Sequence, residues 1–90
     1  MDHRKRQTAE EQLALWEWVL AAQERRHEVI DLVWGAADGE QAAERLRELL
    51  GIEGGDPLVV LDMRMWHLTK EARDQLAANV SHVRDLLGRA

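Results

Sequence analysis

The chain has 90 residues and a mass of 10.3 kDa, which favours one compact domain and disfavours an enzyme with a cleft between two domains. Its net charge of −5 at neutral pH disfavours nonspecific binding to a nucleic-acid backbone. The chain has no cysteine, which excludes disulfides, thiol catalysis and thiolate metal ligands. No long apolar run is present, so neither a signal peptide nor a membrane span is predicted, and a cytoplasmic protein is expected.

The pattern from Thr8 to Trp34 predicts one long amphipathic helix. Thr8 is placed to open it with a capping box, and apolar residues then recur at spacings of three and four. Such a helix would be about 40 Å long and typical of coiled-coil pairing. Trp16 lies on the apolar stripe and is expected in the core, whereas Trp18 lies off it and is expected to be exposed or to bind a partner. Residues 1–7 are predicted to form a disordered basic tail.

Three more helices are predicted further along the chain. Asp38 is placed to cap a second helix over residues 40–50. Pro57, preceded by an acidic capping residue, starts a third helix over residues 58–66 that is apolar on nearly all sides. Thr69 caps the last helix, in which apolar residues again recur at spacings of three and four.

The lengths of these helices predict an all-α fold, in which two long antiparallel helices are joined by a small globular tip of two short helices. Residues 8–88 would form this single helical hairpin, with the tip at about residues 35–68. The tip carries more apolar side chains than a chain of this size can cover. Self-association is therefore expected, as in many small helical domains.

One motif at the tip resembles a known family. It consists of Gly51, the segment Leu61-Asp62-Met63-Arg64, and the pair Leu68-Thr69. This pattern is similar to the tip of the coiled-coil tower in the family of A-type subunits of DNA gyrase and topoisomerase IV, and the likeness covers about residues 9–87. In that family two protomers meet through this region at the exit gate for transported DNA. The resemblance therefore implies a two-fold dimer of helical hairpins.

The resemblance does not imply topoisomerase activity. The family breaks DNA with a tyrosine on a winged-helix domain, and this chain has no tyrosine and no room for that domain. The family also has basic or polar residues where Trp66 and His67 stand. A tryptophan there adds apolar area to the contact, which favours a dimer that stays closed over a gate that must reopen.

The third helix is predicted to divide its apolar residues between two faces. The face toward the chain's own helices carries Val60, Leu61, Met65 and Leu68. The face toward a second copy, the predicted dimer interface, carries Leu58, Val59, Met63 and Trp66.

The predicted function is homodimerisation without catalysis, and no catalytic, cofactor or metal-binding residue is assigned. Glu24 and His27 have the Glu-x-x-His spacing of di-iron bundles, but the second motif that such a site needs is missing, so both are interpreted as solvated surface. The basic residues 3–6 are too few for a nucleic-acid footprint in an acidic protein.

Two alternatives to homodimerisation remain open. The chain could be a regulator that binds DNA gyrase at the gate of its A-type subunits. It could also be a small all-helical enzyme of the chorismate mutase type, because those enzymes are helical dimers of similar size. Their pocket needs several basic side chains on an inner helix face, and the arginines of this chain do not follow that pattern.

Overall fold

A computed structural model describes residues 2–88, and throughout this range the regular structure is helical, with no strand. The all-α prediction is therefore confirmed. The elements in chain order are α1 (His3–Glu24), α2 (Arg26–Gly35), α3 (Gly39–Leu50), α4 (Leu58–Leu61), a 3-10 turn (Met65–Leu68) and α5 (Lys70–Leu86).

The predicted second and last helices are confirmed together with their caps. The Asp38 carboxylate accepts a hydrogen bond from the backbone N–H of Gln41 at 2.9 Å. Gly51 ends α3 in the left-handed region at φ 59°, where a residue with a side chain is strained. The Thr69 hydroxyl accepts from the N–H of Ala72 at 3.2 Å and so begins α5.

The start of the first helix lies upstream of its predicted position. α1 begins at His3, where the Asp2 carboxylate accepts from the N–H of Lys5 at 2.9 Å, and not at Thr8. Most of the predicted disordered tail is therefore helical, and Met1 lies outside the described residues. The physical reason is that aspartate is as good an N-cap as threonine, and the basic residues that follow are good helix formers.

The predicted long helix is interrupted at Arg25, whose backbone leaves the helical region at φ −115° and ψ 37°. Its guanidinium donates to the carbonyl of Leu49 at the end of α3 (2.8 Å) and, through Nε, to the Glu28 carboxylate (3.0 Å). The hydrogen bond from Arg25 lowers the pKa of Glu28 and raises the pKa of Arg25. Because of this break, α2 packs against α3 instead of extending a stalk, so the long hairpin layout is not confirmed.

The pairing of the first and last helices is present over a shorter length. Near one end of the pair, Arg6 donates to the carbonyl of Leu87 (3.3 Å). Near the other end, Gln23 donates to the carbonyl of His67 (2.8 Å). These two bonds show that α1 and α5 run antiparallel. The core between them has four buried members, which are Leu13, Val80, Val83 and Leu87.

A second core lies where α1 meets α2, α3 and α4, and Trp18 is at its centre. Trp18 is fully buried, and its indole N–H donates to the carbonyl of Gly54 at 2.9 Å. The expectation that Trp18 is exposed or binds a partner is therefore wrong, while Trp16 is only half-buried beside the other core. The reason is that α1 is covered on two sides, by α5 and by the second core, so the row of Trp18 is buried although it lies off the predicted stripe.

The predicted third helix is also shorter than expected. α4 ends at Leu61, and the chain passes through Asp62 and an extended Arg64 into the 3-10 turn. The backbone N–H of Arg64 donates to Nδ1 of His67 at 2.9 Å. The bond satisfies the N–H of Arg64, which a backbone carbonyl would have satisfied if the helix had continued. The sequence shows no sign of this break, because residues 58–69 include neither glycine nor proline.

Candidate functional site

Most of the exposed large apolar side chains lie on α2 and on residues 58–66. They are Ile30, Val33, Trp34, Leu58, Met65 and Trp66, and Leu86 near the end of α5 is the seventh in the described range. Trp34 is 90% exposed and Met65 is 78% exposed, values far above those of core residues. Clustered apolar exposure of this kind marks an interaction surface more often than a solvated one.

Part of this surface forms an apolar groove between α2 and residues 60–68, with a volume of about 300 Å³. We call it the Trp34 groove; its walls include Ile30, Val33, Trp34, Leu61, Met65 and Leu68. Arg64 is the one charged side chain among its lining residues. Its floor reaches the second core through Ala22, Val29 and Val60, so the groove is built on packed structure.

The motif residues at the predicted tip are divided between the surface and the backbone framework. Leu61, Met63, Arg64 and Leu68 line the Trp34 groove. Gly51 and Thr69 end α3 and begin α5, respectively. Asp62 is exposed and lines a second groove, not the Trp34 groove.

The predicted dimer-interface residues do not form one face. Val59, Met63 and Trp66 line the second groove, and Met63 also lines the Trp34 groove. Leu58 is half-exposed and lines neither groove. Trp66 is 57% exposed, and its ring lies against His67 with the centroids 4.1 Å apart.

The residues predicted to face the chain's own helices are also not all buried. Val60 is buried, and Leu61 and Leu68 are half-buried, as expected. Met65 is exposed, so the expectation that it packs inside is wrong. Both predicted faces assume one continuous helix over residues 58–68. α4 ends at Leu61, and the later residues follow a different backbone path, so neither face is preserved.

The second groove lies between α1, α5 and residues 59–67 and has a volume of about 420 Å³. We call it the Gln23 cleft. Its polar lining residues are Gln12, Gln23, Asp62, His67, Gln75 and Asn79. Among all its lining residues there is no lysine or arginine, and Asp62 is the one carboxylate.

Gln23 is the buried polar side chain of the described core, with 4% of its surface exposed. Its Nε2 donates to the carbonyl of His67, whereas its Oε1 is buried and has no hydrogen-bond partner. A buried unpaired acceptor costs about 1–3 kcal/mol. In the sequence, Gln23 stands at a position of the apolar stripe of α1 where an apolar residue would be expected. This pattern indicates an interruption of the stripe and does not by itself reveal a site.

Between residues 2 and 88, no group of three or more histidine, aspartate and glutamate side chains is arranged to hold a metal ion. Glu24 and His27 are exposed and lie on either side of the break at Arg25, so they do not share one helix. No helix in this part of the chain is long and apolar enough to cross a membrane. No family model, curated protein or solved structure matches the chain.

Proposed function

We propose that this chain is a non-catalytic self-association module and that two copies join through the Trp34 groove. The observation that carries the proposal is a fully formed apolar groove with a 90% exposed tryptophan in its wall. In a two-fold dimer the same surface serves both protomers. Trp34 of each copy would then lie in the groove of the other, which covers both features at once.

The size of the effect is worked from the exposed area. A buried tryptophan covers about 150–250 Å², so two Trp34 rings remove roughly 300–500 Å² of apolar surface from water. At about 25 cal/mol per Å² this contributes about 8–13 kcal/mol. The loss of translational and rotational freedom costs a similar amount, about 4–15 kcal/mol. Stable pairing therefore also needs Ile30, Val33 and Met65, which surround Trp34 and are exposed.

Two charged side chains that form no ion pair in the described part of the chain, Asp31 and Arg64, support the same arrangement. Asp31 is exposed and lies one helical turn before Trp34, so it would accompany Trp34 toward the second copy. Arg64 is the charged residue of the groove that would receive it. An Asp31–Arg64 pair between copies would set the register of the dimer.

The resemblance to the gyrase exit gate supports this surface as well, because four of the motif residues line the Trp34 groove, namely Leu61, Met63, Arg64 and Leu68. The same four residues favour a second candidate function. In it, the chain is a regulator that offers this groove to the exit gate of DNA gyrase. A supercoiling assay with added protein separates the two candidates, because a pure homodimer has no effect on the enzyme.

The first test is sedimentation velocity over a wide concentration range. The wild type should sediment as a dimer of twice 10.3 kDa. Trp34→Glu should sediment as a monomer with unchanged helical circular dichroism, because the ring is exposed and supports no core. Leu86→Glu is the matched control, since Leu86 is exposed and lines neither groove. A monomeric wild type, or a dimeric Trp34→Glu variant, contradicts the proposal.

Trp66→Glu distinguishes the Trp34 groove from the predicted dimer interface. Trp66 lines the Gln23 cleft and not the Trp34 groove, so this variant should remain a dimer. If Trp66→Glu dissociates and Trp34→Glu does not, the contact lies on the face that the sequence predicted.

Charge exchange tests the register. Asp31→Arg and Arg64→Asp should each weaken the dimer, because each places like charges opposite one another. The double variant should recover much of the lost affinity, since it restores the pair with its charges exchanged. Additive weakening in the double variant would show that Asp31 and Arg64 do not meet.

A further inference from the structure

The Gln23 cleft is a second surface feature, and homodimerisation through the Trp34 groove does not use it. Its volume of about 420 Å³ lies within the range of small-molecule sites. Three parts of the chain form its walls, namely α1, α5 and residues 59–67. Apolar side chains form the larger part of the wall and six polar side chains form the rest. Ligand pockets are likewise mainly apolar, with polar groups that fix the orientation of the ligand.

The charge of the cleft selects between classes of ligand. Asp62 is the only carboxylate on its walls, and no lysine or arginine lines it. Gln75 and Asn79 on the α5 wall are uncharged and bond to one another, from Nε2 to Oδ1 at 3.0 Å. An anion entering the cleft would therefore meet a negative charge and no cation, whereas a cation would be stabilised by Asp62.

Two indole rings reinforce this preference. Trp16 comes from α1 and Trp66 from the 3-10 turn, and both line the cleft. The ring of Trp66 is held against His67, and His67 is itself held by the N–H of Arg64. The face of an indole attracts an ammonium group within about 6 Å of the ring centre.

Gln23 adds a requirement for hydrogen-bond donors. The bond from its Nε2 to the carbonyl of His67 fixes the orientation of the amide, so Oε1 cannot exchange places with the nitrogen. Oε1 is an acceptor with no donor, and a protonated primary amine supplies three N–H donors. The oxygen is buried, so the cleft must widen for a donor to reach it. The flexible Met63 in the wall is the side chain suited to that movement.

We propose that the Gln23 cleft binds a small organic cation in which a protonated primary amine is attached to an apolar body. The ammonium group lies between Asp62 and the two indoles and donates to Oε1 of Gln23. The apolar body lies along Leu15, Val19 and Leu76. A free amine and the side chain of a lysine share this chemistry. The site is formed within one chain, and Met63 is the one lining residue that it shares with the Trp34 groove.

The test is a titration followed by the indole N–H signals in two-dimensional NMR, with four ligands that share a six-carbon body. Hexylamine, protonated at neutral pH, should shift the signals of Trp16 and Trp66 saturably and leave that of the buried Trp18 in place. Hexanoate and hexanol should produce no saturable shift, because one is an anion and the other is neutral. Hexyltrimethylammonium should bind more weakly than hexylamine, since it has the charge but no N–H donor for Gln23.

Two variants locate the charge. Asp62→Asn should weaken hexylamine binding about tenfold, as expected for loss of one close charge partner. Asp85→Asn is the matched control, because Asp85 is also exposed but does not line the cleft, and the affinity of this variant for hexylamine should be unchanged. Gln23→Met should abolish the preference for hexylamine over hexyltrimethylammonium. Equal effects of the two aspartate variants would show general electrostatic attraction and overturn the site.

A further ligand separates the two sources of the amine. N-acetyl-lysine methylamide carries the same ammonium group on a peptide-like unit. If it binds as well as hexylamine, the site accepts lysine side chains, and if hexylamine alone binds, the site takes a free amine. The proposal fails if hexylamine gives no saturable shift, or if hexanoate or hexanol binds equally well.

Discussion

Gly55 lies against the most buried aromatic ring of the protein, and its substitution tests the packing of the second core. Its φ is +64°, and a Cβ added there would lie 2.8 Å from both Cδ1 and Nε1 of Trp18. The indole cannot retreat easily, because it is fully buried and donates to the carbonyl of Gly54 at 2.9 Å. Gly55→Ala therefore combines backbone strain with overpacking.

The expected size follows from these two causes. A residue other than glycine in the left-handed region costs about 1–2 kcal/mol. Overpacking a filled core costs about 1–3 kcal/mol more, so Gly55→Ala should lower the free energy of unfolding by about 2–5 kcal/mol. Gly51→Ala is the matched control, because Gly51 has a φ of +59° and nothing within 4 Å of its added Cβ. It should lose only about 1–2 kcal/mol, the backbone part.

The assay is urea denaturation followed by circular dichroism at one fixed protein concentration, because association changes apparent stability. A domain of this size has a total stability of roughly 5–13 kcal/mol, so both losses are measurable. Equal destabilisation by Gly55→Ala and Gly51→Ala would refute the reasoning, since it would show that the added methyl group meets no resistance from Trp18. If the packing argument is right, double-mutant cycles with Trp18→Phe should show a coupling energy for Gly55→Ala and none for Gly51→Ala.

Two further predictions concern single hydrogen bonds. Thr69→Ala should lower the free energy of unfolding by about 1 kcal/mol, because the N–H of Ala72 loses its cap. Thr69→Ser keeps the hydroxyl and should retain this stability. Equal losses in the two variants would show that the hydroxyl does not cap α5. The hydrogen bond from Arg25 lowers the pKa of Glu28, so its stabilisation is complete above the ordinary value of 4.5 and is lost as the pH falls through the lower folded value. Glu28→Gln should therefore weaken the acid dependence of denaturation below about pH 4.5, and an unchanged acid limb would contradict this.

The features that the sequence predicted correctly depend on short-range interactions. Asp38 and Thr69 each bond to an N–H three residues ahead, and Gly51 adopts the one backbone conformation that ends α3. Such signals act within a single turn, so the sequence alone contains the whole interaction. The all-α class follows in the same way from the spacing of apolar residues and from the absence of strand patterns.

The candidate site was less accessible to sequence reasoning. The sequence indicated an apolar region near residues 58–68, and the motif residues Met63 and Arg64 do line the Trp34 groove. The second wall of that groove comes from α2, which the sequence assigned to a stalk. The Gln23 cleft was missed entirely, because it exists only where α1, α5 and the 3-10 turn meet.

The sequence by itself determined that the chain is helical, where α3 and α5 begin and end, and that its apolar surface exceeds what one small core can cover. Only the tertiary structure decided the break at Arg25, the burial of Trp18 and the end of α4. Arg25 and Trp18 each bond to a carbonyl far away in the chain, that of Leu49 and that of Gly54, respectively. α4 ends because the N–H of Arg64 bonds to the ring nitrogen of His67 and not to a helical carbonyl. Periodicity reports which residues share a helix face, but it does not report how many neighbours cover that helix.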